Sequence, residues 1–131
     1  MSGRHVLTTN LKDDPGIVET YTRLHRDVWP EVQASLRRAG VERMDIYRLG
    51  RRLVMVVEVR DGLDYRTAFA THKSSSQRVA EWERLMKSLQ EPAVEARADE
   101  WWAAMEPVFH LSQDAAEEPP IAHVDERSRT F

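Results

Sequence analysis

The stretch VERMDIYRLGRRLVMVVEV, residues 41–59, decides how this chain folds. VERMDIYRL and RRLVMVVEV are rich in β-branched and aromatic residues and alternate apolar with polar positions, as half-buried strands do. Between them LGRR places Gly50 where two antiparallel strands must reverse. The spacing therefore predicts a β-hairpin, one face of which is apolar.

Upstream, RHVLTTNLK reads as a first strand and DDPG as a turn, in which Asp13 or Asp14 can cap a helix whose first turn accepts Pro15. From Ile17 the residues Val18, Tyr21, Leu24, His25 and Val28 fall on one helical face. Pro30 lacks a donor and disfavours helix at Trp29, so the run is expected to kink there and resume as PEVQASLRRAG, closed by Gly40. Downstream, DGLDY opens a second helical region running through AEWERLMKSL, QEPAVEARAD reads as a loop, and the end of EWWAAMEPVFHL reads as a last strand. Pro107 gives that strand an edge position. Strand, helix, strand, strand, helix, strand is the split βαβ pattern of ferredoxin-like α+β folds: an antiparallel sheet with helices on one face. The other face is left bare, with Val54, Val56 and Tyr47 or their alternates turned to water, which favours face-to-face pairing into a dimeric α/β barrel.

Length and composition narrow the function. The 131 residues suit one domain with a modest core, read as 1–111, followed by an acidic, solvated tail over 112–131. The tail holds five acids against Arg127 and Arg129, which is the whole formal charge of −3, and leaves 17 basic and 17 acidic residues in the body. A neutral body with no basic stripe argues against nucleic acid as partner. Ile121 and Phe131 of the tail can still dock on a neighbouring subunit. With no cysteine, thiol chemistry is excluded. No segment approaches the roughly 20 apolar residues of a membrane span, and MSGRHVLTTNLKDDPG lacks a signal peptide's apolar stretch, so a soluble cytoplasmic protein is expected.

Glycine-rich phosphate loops, HExxH, G-x-S-x-G and clustered His/Asp patterns do not occur. What remains is Tyr21, His25 and the four tryptophans Trp29, Trp82, Trp101 and Trp102. Ring faces stack on the C–H faces of sugars, while Tyr and His supply hydrogen bonds and protons. His25 stands at the carbonyl end of the first helical run, where the dipole favours an imidazolium and is expected to raise its pKa. Each of Tyr21 and His25 also fits a packing role, His25 satisfied by a backbone carbonyl and Tyr21 as an ordinary core tyrosine. Trp29, before the proline of a kink, fits an anchor of packing and is kept among the rings that can border a sugar. Of Trp101 and Trp102, whose adjacent rings point in different directions, one is expected to pack and one to line a cleft.

In YTRLHRDVWPEV (21–32), MDIYRLGRRLVMVVEV (44–59) and EWWAAMEPVFHL (100–111), the chain resembles the L-rhamnose mutarotase family, which also includes proteins acting on L-fucose. The resemblance runs from Leu7 to Leu111. It implies a dimeric ferredoxin-like barrel, with Tyr21 and His25 matching the family's active-site tyrosine and histidine. It implies sugar contact by Trp82, although family members can carry a tandem tryptophan pair where this chain has Trp82-Glu83. Rhamnose enzymes of the family can carry a tyrosine where this chain has Met44, so the pocket has one hydroxyl fewer. A thioether there suits a sugar presenting a methyl or C–H surface, as the 6-deoxy sugars L-fucose and L-rhamnose do.

The implied activity interconverts α and β anomers by acid–base ring opening, with no metal or organic cofactor and a monosaccharide as partner. Spacing does not assign acid and base between Tyr21 and His25. Two other classes fit the same scaffold: a small monooxygenase or haem-degrading enzyme using His25, and a sugar-binding module without turnover.

Overall fold

A computed structural model of the chain describes residues 3–113. Strand β1 (Gly3–Leu11) leads through helices α1 (Pro15–Leu24) and α2 (Pro30–Ala39) to the hairpin of β2 (Val41–Leu49) and β3 (Arg52–Val59). Helices α3 (Tyr65–Lys73) and α4 (Gln77–Leu89) follow, and then two-residue strands β4 (Gln90–Glu91) and β5 (Ala103–Ala104). All pairings are antiparallel and the order is β2-β3-β1-β4, with β5 also on β1. This is the expected ferredoxin-like α+β fold. The reading of 112–131 as an acidic tail falls, beyond its first two residues, outside the described part.

Register separates the two faces of the sheet. Leu53, Met55, Val57 and Val59 of β3 alternate inward and are buried beneath the helices with Leu7 and Leu11 of β1. Burying each such side chain contributes about 1.5–3 kcal/mol. Met44 and Ile46 pair with Val57 and Met55, so they share the helix-covered face. Tyr47 and Val54 pair on the opposite face, where no helix lies over them and Tyr47 is 63% exposed.

Local chemistry sets the boundaries. Asp14 caps α1, its Oδ1 accepting from the Gly16 N–H at 2.8 Å, with Pro15 in the first turn. Gly40 ends α2 with φ of 106°, a left-handed conformation that favours glycine, and a Cβ there would also have to displace the Leu63 side chain.

Four local readings need correction. Helix α1 stops at Leu24 rather than running to Trp29, because His25 caps it and residues 25–29 form a loop. The second helical region is two helices. Ser74 and Ser75 turn their hydroxyls back on the carbonyls of Ala70 and His72, while Ser76 starts α4 by accepting from the Val79 N–H. Within the expected loop, Gln90–Glu91 pair with Leu11 and Asn10 as β4. The last strand is only Ala103–Ala104, followed by one more ladder bond from the Met105 N–H to the Val6 carbonyl at 2.8 Å. Pro107 is therefore not in a strand; it has no N–H with which to continue the ladder.

Candidate active site

Between the inner sheet face and the helices lies a cavity of about 820 Å³, within the range of small-molecule sites. Tyr21, His25, Met44, Trp82, Trp101 and Trp102 all line it. Trp29 does not: it packs edge-on against Trp82, 5.0 Å between ring centroids, beneath the Arg78 guanidinium at 3.5 Å. Trp101 and Trp102 share the cavity wall rather than dividing the two roles. Both residues border the cavity from the loop before β5, and Trp102 also packs against the apolar core.

The last turn of α1 builds the polar centre. Four residues apart, Tyr21 and His25 stack with ring centroids 4.0 Å apart and planes at 28°, and the His25 ring meets the edge of Trp82 at 5.5 Å. His25 Nδ1 lies 2.8 Å from the Tyr21 carbonyl oxygen. A carbonyl only accepts, so Nδ1 carries the hydrogen and Nε2 of the neutral ring keeps its lone pair. Burial pulls the His25 pKa below its ordinary value and outweighs the opposing pull of the Tyr21 carbonyl. The expected upward shift from the helix dipole is thus overturned: His25 does cap α1, but loss of water costs the charged ring more than the helix end returns.

Tyr21 is 4% exposed, and burial drives its phenol well above the ordinary tyrosine value. Its hydroxyl stays protonated at neutral pH, because the nearby Gln90 side chain offsets the effect of burial only in part. The site thus pairs an unprotonated ring nitrogen with a protonated phenol, one to accept a proton and one to donate a hydrogen bond.

A match to known proteins decides the family. A family model described as L-rhamnose mutarotase matches residues 4–111. The chain belongs to the L-rhamnose mutarotase family. Mutarotases are carbohydrate isomerases. The chain is similar to the L-fucose mutarotase of Xanthomonas campestris pv. campestris, 37% identical over 106 residues that cover 79% of this chain and 84% of that one. It is also similar to a UPF0734 protein of Dictyostelium discoideum, 31% identical over 105 residues, covering 78% and 84%. Among solved structures, the L-rhamnose mutarotase of Formosa agariphila superposes with a TM-score of 0.59 at 18% identity, over 84% of this chain and 99% of that one. Tetracenomycin F2 cyclase of Streptomyces glaucescens does so with 0.56 at 17%, over 86% and 99%. At such identities the superpositions speak for the fold.

Two further polar groups of this mutarotase-family chain carry no sequence signal. Gln90 sits where β4 begins, in a stretch that reads as loop, and is 3% exposed, with its Oε1 accepting from the Trp101 indole at 2.8 Å. His72 is buried in α3, its Nδ1 2.8 Å from Ser35 Oγ and its Nε2 3.5 Å from a Glu83 carboxylate oxygen. Both line the cavity. Buried Thr9, on β1, secures the Trp101 segment, its hydroxyl lying 3.0 Å from the Trp101 carbonyl and 3.2 Å from that of Glu91. Among the described residues no three His, Asp or Glu side chains gather closely enough to hold a metal ion. No helix there is long and apolar enough to cross a membrane.

Proposed function

We propose that this protein interconverts the α and β anomers of a 6-deoxy sugar such as L-fucose or L-rhamnose, with His25 moving the proton and Tyr21 polarising the substrate. The observation that carries this reading is the stacked Tyr21–His25 pair, with a lone pair on Nε2 and a protonated phenol beside one cavity. His25 Nε2 takes the proton of the anomeric hydroxyl as its oxygen becomes a carbonyl and the bond from the anomeric carbon to the ring oxygen breaks. The imidazolium returns that proton to the ring oxygen, which Tyr21 hydrogen-bonds as charge grows there. Rotation about the C1–C2 bond and the reverse sequence close the other anomer, with no net proton consumed. Trp82, Trp101 and Trp102 supply ring faces for the sugar's C–H surfaces, and Met44 supports an apolar contact with the 6-methyl group. Saturation-transfer NMR across L-fucose, L-rhamnose and D-glucose tests this choice. Faster exchange of the two deoxy sugars is expected; equal rates on all three contradict a pocket that reads the methyl group.

The depressed pKa of His25 fixes the pH dependence. An unfolded histidine titrates near 6.5, so below that pH the unfolded chain binds a proton that the folded site resists. Stability is thus full above about 6.5 and declines as pH falls through the window down to the lower folded value. The exchange rate is expected to stay level on acidification past 6.5 and to drop only as pH falls through the lower value of folded His25. A rate profile with its acid limb above 6.5 contradicts the assignment.

The bare sheet face supports a homodimer. Val54 and Val56 lie half-buried beside exposed Tyr47 and Leu49 with no helix over them. A second copy packed there, sheet to sheet, is expected to bury about 1,600 Å² or more. Sedimentation at micromolar concentration is expected to give a dimer, and a monomer there contradicts it.

A further inference from the structure

Besides Tyr21 and His25, the cavity wall carries a second ionisable pair that the proposed mechanism does not use. His72 of α3 is 2% exposed, yet it borders the cavity together with Glu83 of α4. Ser35 and Ser75 do not border it; their hydroxyls hold the His72 residue from behind, each with a single hydrogen to give. Ser75 donates its hydrogen to the His72 carbonyl at 2.7 Å. In the 2.7 Å contact between the two hydroxyls Ser35 must therefore be the donor. With that hydrogen spent, Ser35 Oγ can only accept from His72 Nδ1, which lies 2.8 Å away. Nδ1 thus carries a hydrogen, and Nε2 faces a Glu83 carboxylate oxygen at 3.5 Å, a contact that attracts once Nε2 also holds a hydrogen.

A tie between helices would be complete at Nδ1, where α3 already meets Ser35 of α2. What Nε2 adds is a fixed place for the Glu83 carboxylate at the cavity wall. The Glu83 side chain is 27% exposed, and His72 takes one of the roughly four acceptor positions on its two oxygens. The tryptophan faces of this wall stack on C–H surfaces and leave a sugar's hydroxyl hydrogens unpaired, whereas a charged acceptor holds them more strongly than a neutral one. We propose that Glu83, paired with a His72 ring that the two serines hold in place, is a specificity-determining residue whose carboxylate accepts hydrogen bonds from non-anomeric hydroxyls of the bound sugar. The inference rests on the mutarotase reading above and adds to it a polar selector beside the apolar one at Met44.

Glu83→Gln provides the first test, because it keeps the size of the side chain and removes its charge and one acceptor oxygen. Affinity for L-fucose, titrated by tryptophan fluorescence, is expected to fall about tenfold, the usual worth of hydrogen bonding to a charged group. The exchange rate at saturating sugar is expected to stay near that of the wild type, since Glu83 holds the sugar alike before and during ring opening. L-Fucose analogues lacking the hydroxyl at C2, C3 or C4 then identify the partner. At least one is expected to bind the wild type more weakly than L-fucose does, and to lose most of that disadvantage in Glu83→Gln and all of it in Glu83→Ala. Binding is read whether or not any sugar turns over, so the two readings fail separately. This affinity pattern in a protein that does not speed exchange upholds Glu83 as a sugar contact and removes the mutarotase activity. Wild-type affinity for L-fucose in Glu83→Gln overturns the proposal even where exchange is full, whatever its melting temperature. So does an analogue disadvantage that persists undiminished in that variant.

Discussion

His25→Ala is expected to slow anomer exchange by about 10²-fold or more, the usual contribution of a positioned acid–base group. Its effect on stability is expected to be small by comparison. The ring is only half-buried, and its one bond to the protein, from Nδ1 to the Tyr21 carbonyl, lies at the end of a helix whose other contacts persist. Losing that bond costs about 1 kcal/mol. Tyr21 keeps its place because it belongs to the core cluster formed with Leu11, Leu53 and Trp82. Rate and melting temperature therefore separate two roles for the ring. Large loss of exchange with a near-native melting temperature supports proton transfer, whereas a destabilised variant with undiminished exchange makes His25 a packing residue.

Trp82→Ala is expected to do most of its damage to stability. The indole is 5% exposed within a cluster that includes Leu11, Tyr21, Leu53 and Met86, and both His25 and Trp29 meet its ring edge to face. Replacing a buried tryptophan by alanine costs about 3–5 kcal/mol, through lost transfer energy and the cavity left behind. That corresponds to a drop of order 10 °C or more in melting temperature for a domain of this size. The ring also supports His25, so the surviving folded fraction should exchange sugar more slowly. Urea unfolding of the variant measures the first effect. A loss below about 1 kcal/mol would show that neighbouring side chains refill the space, contrary to the packing described.

Sequence reasoning reached the parts of this fold that neighbouring residues dictate. The 41–59 hairpin carries its own alternation and turn, Asp14 and Pro15 announce a helix start, and Gly40 marks a stop in a conformation that favours glycine. Strands β4 and β5 were not legible, since two residues carry no period of their own and are strands only because β1 offers an edge. Three consecutive serines could have marked the break between α3 and α4, but their side-chain bonds to the backbone compete with helix only once the flanking faces are fixed.

The candidate site divides in the same way. Tyr21 and His25 share a helical turn and so can be paired from spacing alone. Met44, Trp82, Trp101 and Trp102 come from three separate stretches, and only the packing of helices on the sheet brings them to the same cavity. The pKa of His25 depends on how much water the fold removes, which a dipole argument from its position in a helix could not weigh. Gln90 carries no signal because a buried amide bonded to an indole looks, in sequence, like any polar residue beginning a loop.

Saturation transfer between the anomeric protons of L-fucose, read with and without the wild-type protein, shows directly whether the protein speeds ring opening. Proton transfer by His25 predicts an exchange rate that rises in proportion to protein concentration and returns to the rate in water alone when His25→Ala replaces the wild type. Exchange at the rate in water for L-fucose, L-rhamnose and D-aldoses alike, in a protein whose melting temperature those sugars raise, would contradict it and leave a binding module without turnover.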